Sequence, residues 1–126
     1  MAKQHIFLIE DDPFLSEIYA TKIEEAGFTI SVFDNPVLAI DKVKQEKVDL
    51  VLLDIVMPNM DGFEILSIIK SDPKTKGIPV IILSNLGEEE NVKKGLSLGA
   101  VAYIVKAHYT PTEVVAKVKS VLAGEK

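Results

Sequence analysis

Cysteine is missing from this 126-residue chain, and its absence removes disulfides, thiolate metal sites and a cysteine nucleophile together. Long apolar runs are missing too. The amino terminus, Met1-Ala2-Lys3-Gln4-His5, is followed by only four apolar residues before acids begin, too short for the core of a signal peptide. The aliphatic blocks further on are too short for a membrane span, so a cytoplasmic protein with no membrane partner is expected. Nor is there an excess of base, since nineteen acids against fourteen lysines plus arginines leave a formal charge of −5. That balance works against attraction to nucleic-acid phosphates and anionic lipids, and favours a cation or a basic protein surface. No repeat, linker or low-complexity tract interrupts the chain, so residues 1–126 are expected to form one domain, large enough to bury about two-thirds of its unfolded surface.

What is present converges on Asp54. It closes the run Val48-Asp49-Leu50-Val51-Leu52-Leu53, in which five of six residues are large and aliphatic. Such continuity predicts a strand of a parallel sheet covered on both faces. A carboxylate has no place inside that strand, but at its carboxyl end it enters the crevice where open α/β sheets hold ligands. Asp is also a good helix cap, yet Pro58 and the pair Asp61-Gly62 postpone the next helix by several residues.

The rest of the chain alternates in the same way. Ile6-Phe7-Leu8-Ile9 is a first strand stopped by Glu10-Asp11-Asp12-Pro13. Asp12 before Pro13 reads as a helix cap, with Phe14, Leu15, Ile18 and Ile23 at helical spacing. Glu10 and Asp11 have no such role, and adjacent carboxylates at a buried strand end are tolerable chiefly with a cation between them. Gly27 ends the first helix, Phe28–Phe33 alternates as a strand with one wetter face, and Asn35-Pro36 opens a second helix. A third helix carries Phe63, Ile65, Leu66, Ile68 and Ile69 and closes at Asp72-Pro73. Ile78–Leu83 is a fourth strand delivering Ser84 and Asn85. Glu88–Glu90 form an acidic first turn that suits a helix dipole, a structural use of those charges. Ala100–Val105 is a fifth strand delivering Lys106, and Thr110-Pro111-Thr112-Glu113 is a capping box for a last helix. Five strand-then-helix units predict a doubly wound parallel α/β sheet with right-handed crossovers and strand order 2-1-3-4-5.

Four strands thus end in a reactive residue: Glu10 with Asp11, then Asp54, Ser84 and Lys106. Singly, each has a plainer use as a cap, a strand end or a solvated charge. Together they suit phosphoryl transfer, in which carboxylates hold Mg²⁺, one carboxylate is the nucleophile, and a hydroxyl and an ammonium stabilise the transferred oxygens. The segments IFLIEDDP, VDLVLLDIVMPNMDGFEIL, VIILSN and GAVAYIVK resemble the receiver domain of two-component response regulators, of the chemotaxis-regulator-like single-domain type, over essentially the whole chain. The resemblance implies a flavodoxin-like (βα)5 fold and a phosphoacceptor switch that assists its own phosphorylation and dephosphorylation. It implies Asp54 as the phosphorylated aspartate, Glu10, Asp11, Asp54 and the carbonyl of Val56 as Mg²⁺ ligands, Ser84 as switch hydroxyl, and Lys106 as the site lysine. Tyr103 falls at the aromatic switch position, although spacing alone reads it equally as core or edge packing. A sensor histidine kinase or phosphotransfer protein would be the donor, and a downstream protein the target.

One departure stands out. The family usually follows this lysine with a cis-proline, and here Ala107 stands there, so either a strained cis bond or a rearranged loop through His108 and Tyr109 is expected. Those two aromatics are expected to pack at the entry of the last helix or to serve a partner surface. Other readings make different demands. A flavodoxin-like nucleotide or flavin binder needs a glycine-rich loop where Glu10-Asp11-Asp12 stand. A haloacid-dehalogenase-type phosphatase resembles a first-strand DxD pattern, and a partner-binding scaffold without phosphorylation has no use for the intact acids, hydroxyl and lysine. Absence of an output domain favours a free-standing regulator.

Overall fold

Leu50, Val51, Leu52 and Leu53 are buried without exception and form a strand, β3 (Leu50–Leu53), in the middle of a parallel sheet. The structure, a computed structural model, describes residues 3–57 and 60–124. Around β3 lie β1 (His5–Ile9), β2 (Thr29–Phe33), β4 (Val80–Ser84) and β5 (Ala102–Val105), in the order β2-β1-β3-β4-β5. All four pairings are parallel, so the expected doubly wound order holds. Asp49 falls outside β3, and its carboxylate accepts the His5 backbone N–H at 2.7 Å.

Among the described residues five α-helices cover the sheet: α1 (Pro13–Glu25), α2 (Pro36–Gln45), α3 (Gly62–Ser71), α4 (Glu89–Ser97) and α5 (Pro111–Leu122). Because side chains alternate along a strand, β3 sends Leu50 and Leu52 into one core with Tyr19 and Ile23 of α1 and Val114 and Val118 of α5. Val51 and Leu53 enter the other, with Ala39 and Val43 of α2 and Leu66 and Ile69 of α3. Burial on both faces is why β3 is aliphatic at every position. At the edge, β2 keeps Thr29 and Val32 exposed; three residues apart, they lie on opposite faces, so the expected single wetter face is replaced by partial exposure of the whole edge strand.

The helix starts follow local chemistry. Asp12, Asn35 and Thr110 each accept backbone N–H groups of the helix they open, and Thr110 with Glu113 completes the capping box. Gly27 and Gly99, with φ of 98° and 111°, turn the chain out of α1 and α4 in the left-handed region. The cap of α3 is Asp61, which accepts the Phe63 N–H at 2.9 Å, so Asp54 is left to the sheet's end. Pro58, expected to delay α3, lies outside the described residues. No helix among the described residues is long and apolar enough to cross a membrane.

Candidate functional site

Register assembles the site. Ile9 pairs with Leu53, and Leu53 with Ile82, so these strands reach the same edge of the sheet together. Asp54 N–H donates to the Ile9 carbonyl at 3.0 Å and Glu10 N–H to the Phe33 carbonyl at 2.9 Å. Glu10 and Asp54 therefore leave neighbouring strands side by side. Ser84 ends β4 opposite Val105 of β5, and the next residue is Lys106.

The side chains then converge. Glu10, Asp54 and Ser84 are 2%, 5% and 0% exposed, which for two acids demands compensation. Lys106 supplies it: its Nζ donates to Glu10 Oε1 at 2.5 Å and to Asp54 Oδ2 at 3.2 Å. The second oxygen of each acid accepts a backbone N–H, Asp12 on Glu10 Oε2 at 3.3 Å and Val56 on Asp54 Oδ1 at 3.0 Å. Burial still pushes Glu10 above the usual carboxylate range, with the nearby Asp54 charge adding to the effect and Lys106 opposing it. Burial alone would lower the Lys106 ammonium, but its bond to Glu10 and the Asp54 charge outweigh that and raise it.

Asp11 differs from Glu10 in its exposure. Its side chain points to solvent's side of the boundary as an exposed residue while Glu10 is buried, and the cation beside Glu10 is Lys106. One carboxylate oxygen each from Glu10, Asp11 and Asp54 nevertheless lies within 4.8 Å of the others. Three hard oxygen donors so close together fit a small divalent cation such as Mg²⁺.

The loop after Asp54 is held by its own backbone. Val56–Met57 pairs with Met60–Asp61 as a two-residue antiparallel hairpin, and Gly62 N–H donates to the Ile55 carbonyl at 3.1 Å. A Cβ on Gly62 would lie 2.1 Å from Ile55 Cα, so only glycine allows this closure. Val56 is 54% exposed and, with Leu86 and Asn85, lines the cleft around Asp54 and Lys106.

Ser84 and Tyr103 both bond to the backbone of one residue, Leu86. Ser84 Oγ accepts the Leu86 N–H at 3.2 Å, while the Tyr103 hydroxyl donates to the Leu86 carbonyl at 2.5 Å. Tyr103 is half-buried and packs against the core shared with α2 and α3, and burial raises its phenol above the ordinary range. Backbone groups carry no residue-type signal, so nothing in the sequence marks Leu86 for this role. At Ala107 the loop rearrangement is what occurs. Peptide bonds among the described residues are trans, and Lys106–His108 winds into a 3₁₀ turn closed by Tyr109 N–H on the Lys106 carbonyl. His108 and Tyr109 fall among the exposed residues, Tyr109 with 38% of its surface open.

Residues 6–119 match the family described as the response regulator receiver domain. The chain belongs to that family, the receiver domain of two-component response regulators. It is 36% identical over 122 residues to the phosphate regulon transcriptional regulatory protein PhoB of Pseudomonas aeruginosa, covering 97% of this chain and 53% of the relative. It is 35% identical over 119 residues to the regulatory protein VanRc of Enterococcus gallinarum, covering 94% of this chain and 50% of that one. The chain thus spans about half the length of these curated relatives. The receiver domain of Francisella response regulator 1452 superposes with a TM-score of 0.88 at 27% identity, covering 98% of this chain and 100% of that structure.

Proposed function

We propose that residues 1–126 act as one receiver unit in which Asp54 accepts a phosphoryl group from a phosphohistidine of a sensor histidine kinase or phosphotransfer protein. The observation that carries this reading is the Lys106 ammonium lying against both Glu10 and Asp54 at 2.5 and 3.2 Å, at the sheet edge where β4 ends in the buried Ser84. In the transfer, an Asp54 carboxylate oxygen attacks phosphorus, the P–N bond breaks, and its electron pair leaves with the imidazole of the donor. Lys106 neutralises oxygens of the group as it arrives, and Ser84 donates its hydroxyl proton to one of them. Main-chain N–H of Val56, already on Asp54 Oδ1, keeps the carboxylate oriented.

Charge supports a metal requirement. Three carboxylates against one ammonium leave two negative charges uncompensated, and a phosphoryl dianion would be repelled. Glu10, Asp11, Asp54 and the carbonyl of Val56 would hold Mg²⁺, which when bound supplies positive charge to the transferred oxygens. Phosphorylation would then bias Ser84, Tyr103 and the loop between them toward a second arrangement read by a downstream protein. An acidic chain disfavours DNA as that target. The test is intact mass after incubation with a small phosphodonor. One phosphoryl per chain is expected with Mg²⁺, and none without it or in Asp54→Asn. Equal labelling of Asp54→Asn would refute the assignment.

A further inference from the structure

Helix α1 turns Ser16, Tyr19 and Ile23 inward. Tyr19 is 4% exposed and packs with Leu8 of β1, Leu52 of β3 and Ile104 of β5 in one core, an apolar setting to which a phenol brings an oxygen that phenylalanine would not. Two residues beyond those three come Glu10, Asp54 and Lys106. The N–H bonds of Glu10 and Asp54 to Phe33 and Ile9 carry the ladder one residue past β1 and β3, so strand alternation turns both acids to the face that carries Tyr19. Lys106 joins them there through its two bonds. Helix α1 begins at the same end of the sheet, since its cap Asp12 lines the cleft with Glu10 and Asp11. Aromatic side chains on a helix point back toward its first turn, which for Tyr19 is toward the cluster. Ser16, one turn nearer, is small and donates its hydroxyl to the Pro13 carbonyl at 3.2 Å, leaving the ring that space. Burial raises the Tyr19 phenol above its ordinary 10.0, and of the charges acting on it Lys106 stands first, ahead of Glu10 and Asp54.

We propose that Tyr19 is a positioning residue for Lys106: its hydroxyl faces the ammonium from within the core, and its dipole biases where the ammonium rests between Glu10 and Asp54. An ammonium carries three hydrogens, and the bonds to Glu10 and Asp54 use two of them. The third has no acceptor among the described residues in this arrangement. It becomes available to the phenol oxygen when the ammonium shifts off Glu10 toward an arriving phosphoryl oxygen. An acceptor already in place on the core side keeps the ammonium beside Asp54 as charge moves onto the transferred oxygens, with no reorganisation at that moment. This role deepens, and rests on, the reading of Asp54 as phosphoryl acceptor given above.

The experiment uses the whole chain with ¹³C at lysine Cε, the resonances of Lys106 and Lys70 being assigned with Lys106→Met and Lys70→Met. Tyr19→Phe keeps the ring in the core and removes the oxygen. Without phosphodonor or Mg²⁺, this substitution is expected to move the Lys106 resonance. That of Lys70, held on the far side of the sheet by the Ile78 carbonyl at 2.7 Å, is expected to stay in place and so to report that the fold is intact. A stationary Lys106 resonance, or equal displacement of both, would overturn the placement of the hydroxyl. Acetyl phosphate and Mg²⁺ are then added, and uptake is followed by intact mass. The parent and Tyr19→Phe should each reach one phosphoryl group per chain, with the initial rate at least threefold lower in the variant, and equal rates would overturn the positioning role. If neither protein is labelled, the reading of Asp54 fails, while the Lys106 resonance still decides where the hydroxyl lies.

Discussion

Replacing Lys106 with methionine would remove the ammonium that touches two buried acids, and the structure sets the size of the effect. The Lys106 side chain is 9% exposed, those of Glu10 and Asp54 1% and 7%, so water can do little for the carboxylates left behind. Breaking a buried pair by deleting one partner costs about 3–5 kcal/mol. Glu10 and Asp54 each keep one backbone N–H, at 3.3 and 3.0 Å, which puts the expectation at the low end, about 3 kcal/mol. Urea unfolding at pH 7 with EDTA should then show a midpoint lower by about 1.5 M, for a slope of about 2 kcal/mol per M.

The pH dependence gives an independent reading of the same cluster. Because Glu10 is raised above its ordinary 4.5 on folding, the native protein holds more protons than the unfolded chain in a window that opens near 4.5 and runs upward. There, stability falls as pH rises. Lys106 is also raised, and its contribution is complete below its ordinary 10.5 and lost as pH climbs through the folded value. Without Lys106, Glu10 loses the partner that held it down, so the window of falling stability should extend to higher pH than in the parent. Adding Glu10→Gln should restore most of the lost stability. A Lys106→Met protein as stable as the parent at pH 7, with the same pH profile, would refute the cluster's energetics.

Mg²⁺ should raise the melting temperature, most visibly at low salt, since three ligand oxygens lie within 4.8 Å, and a midpoint indifferent to Mg²⁺ would count against these acids as ligands. Gly62→Ala should destabilise by about 2 kcal/mol or more, because its Cβ would meet backbone, Ile55 Cα at 2.1 Å, and an unchanged urea midpoint would contradict that packing. Phosphoryl loss from Asp54 should be slow, because Val56 and Leu86 line the cleft with apolar side chains that cannot position water. Val56→Asn and Leu86→Glu should each speed the first-order loss in Mg²⁺, whereas equal or slower loss in both would dismiss the shielding.

Much of the architecture is legible locally. Asp12, Asn35 and Thr110 cap helices through bonds that span two or three residues, and the unbroken aliphatic run of β3 follows from burial on both faces. Such signals need no knowledge of distant parts of the chain. The residue types at four strand ends, Glu10, Asp54, Ser84 and Lys106, likewise point to phosphoryl chemistry before any coordinate is known. What they touch is another matter. Lys106 bonds Glu10 across 96 positions and Asp54 across 52, and only the register of parallel strands joined by crossovers brings them together. Glu10 is balanced by a side chain from β5's end, while one oxygen each of Glu10, Asp11 and Asp54 stays within 4.8 Å of the others, a closeness that the adjacency of Glu10 and Asp11 alone does not reveal for Asp54. The same holds at Ala107, where the backbone chooses a short turn that exposes His108 and Tyr109. Gly62 reads in sequence as part of a turn signal with Asp61, but the reason it can carry no side chain is the backbone atom that would collide with it, Ile55 Cα at 2.1 Å.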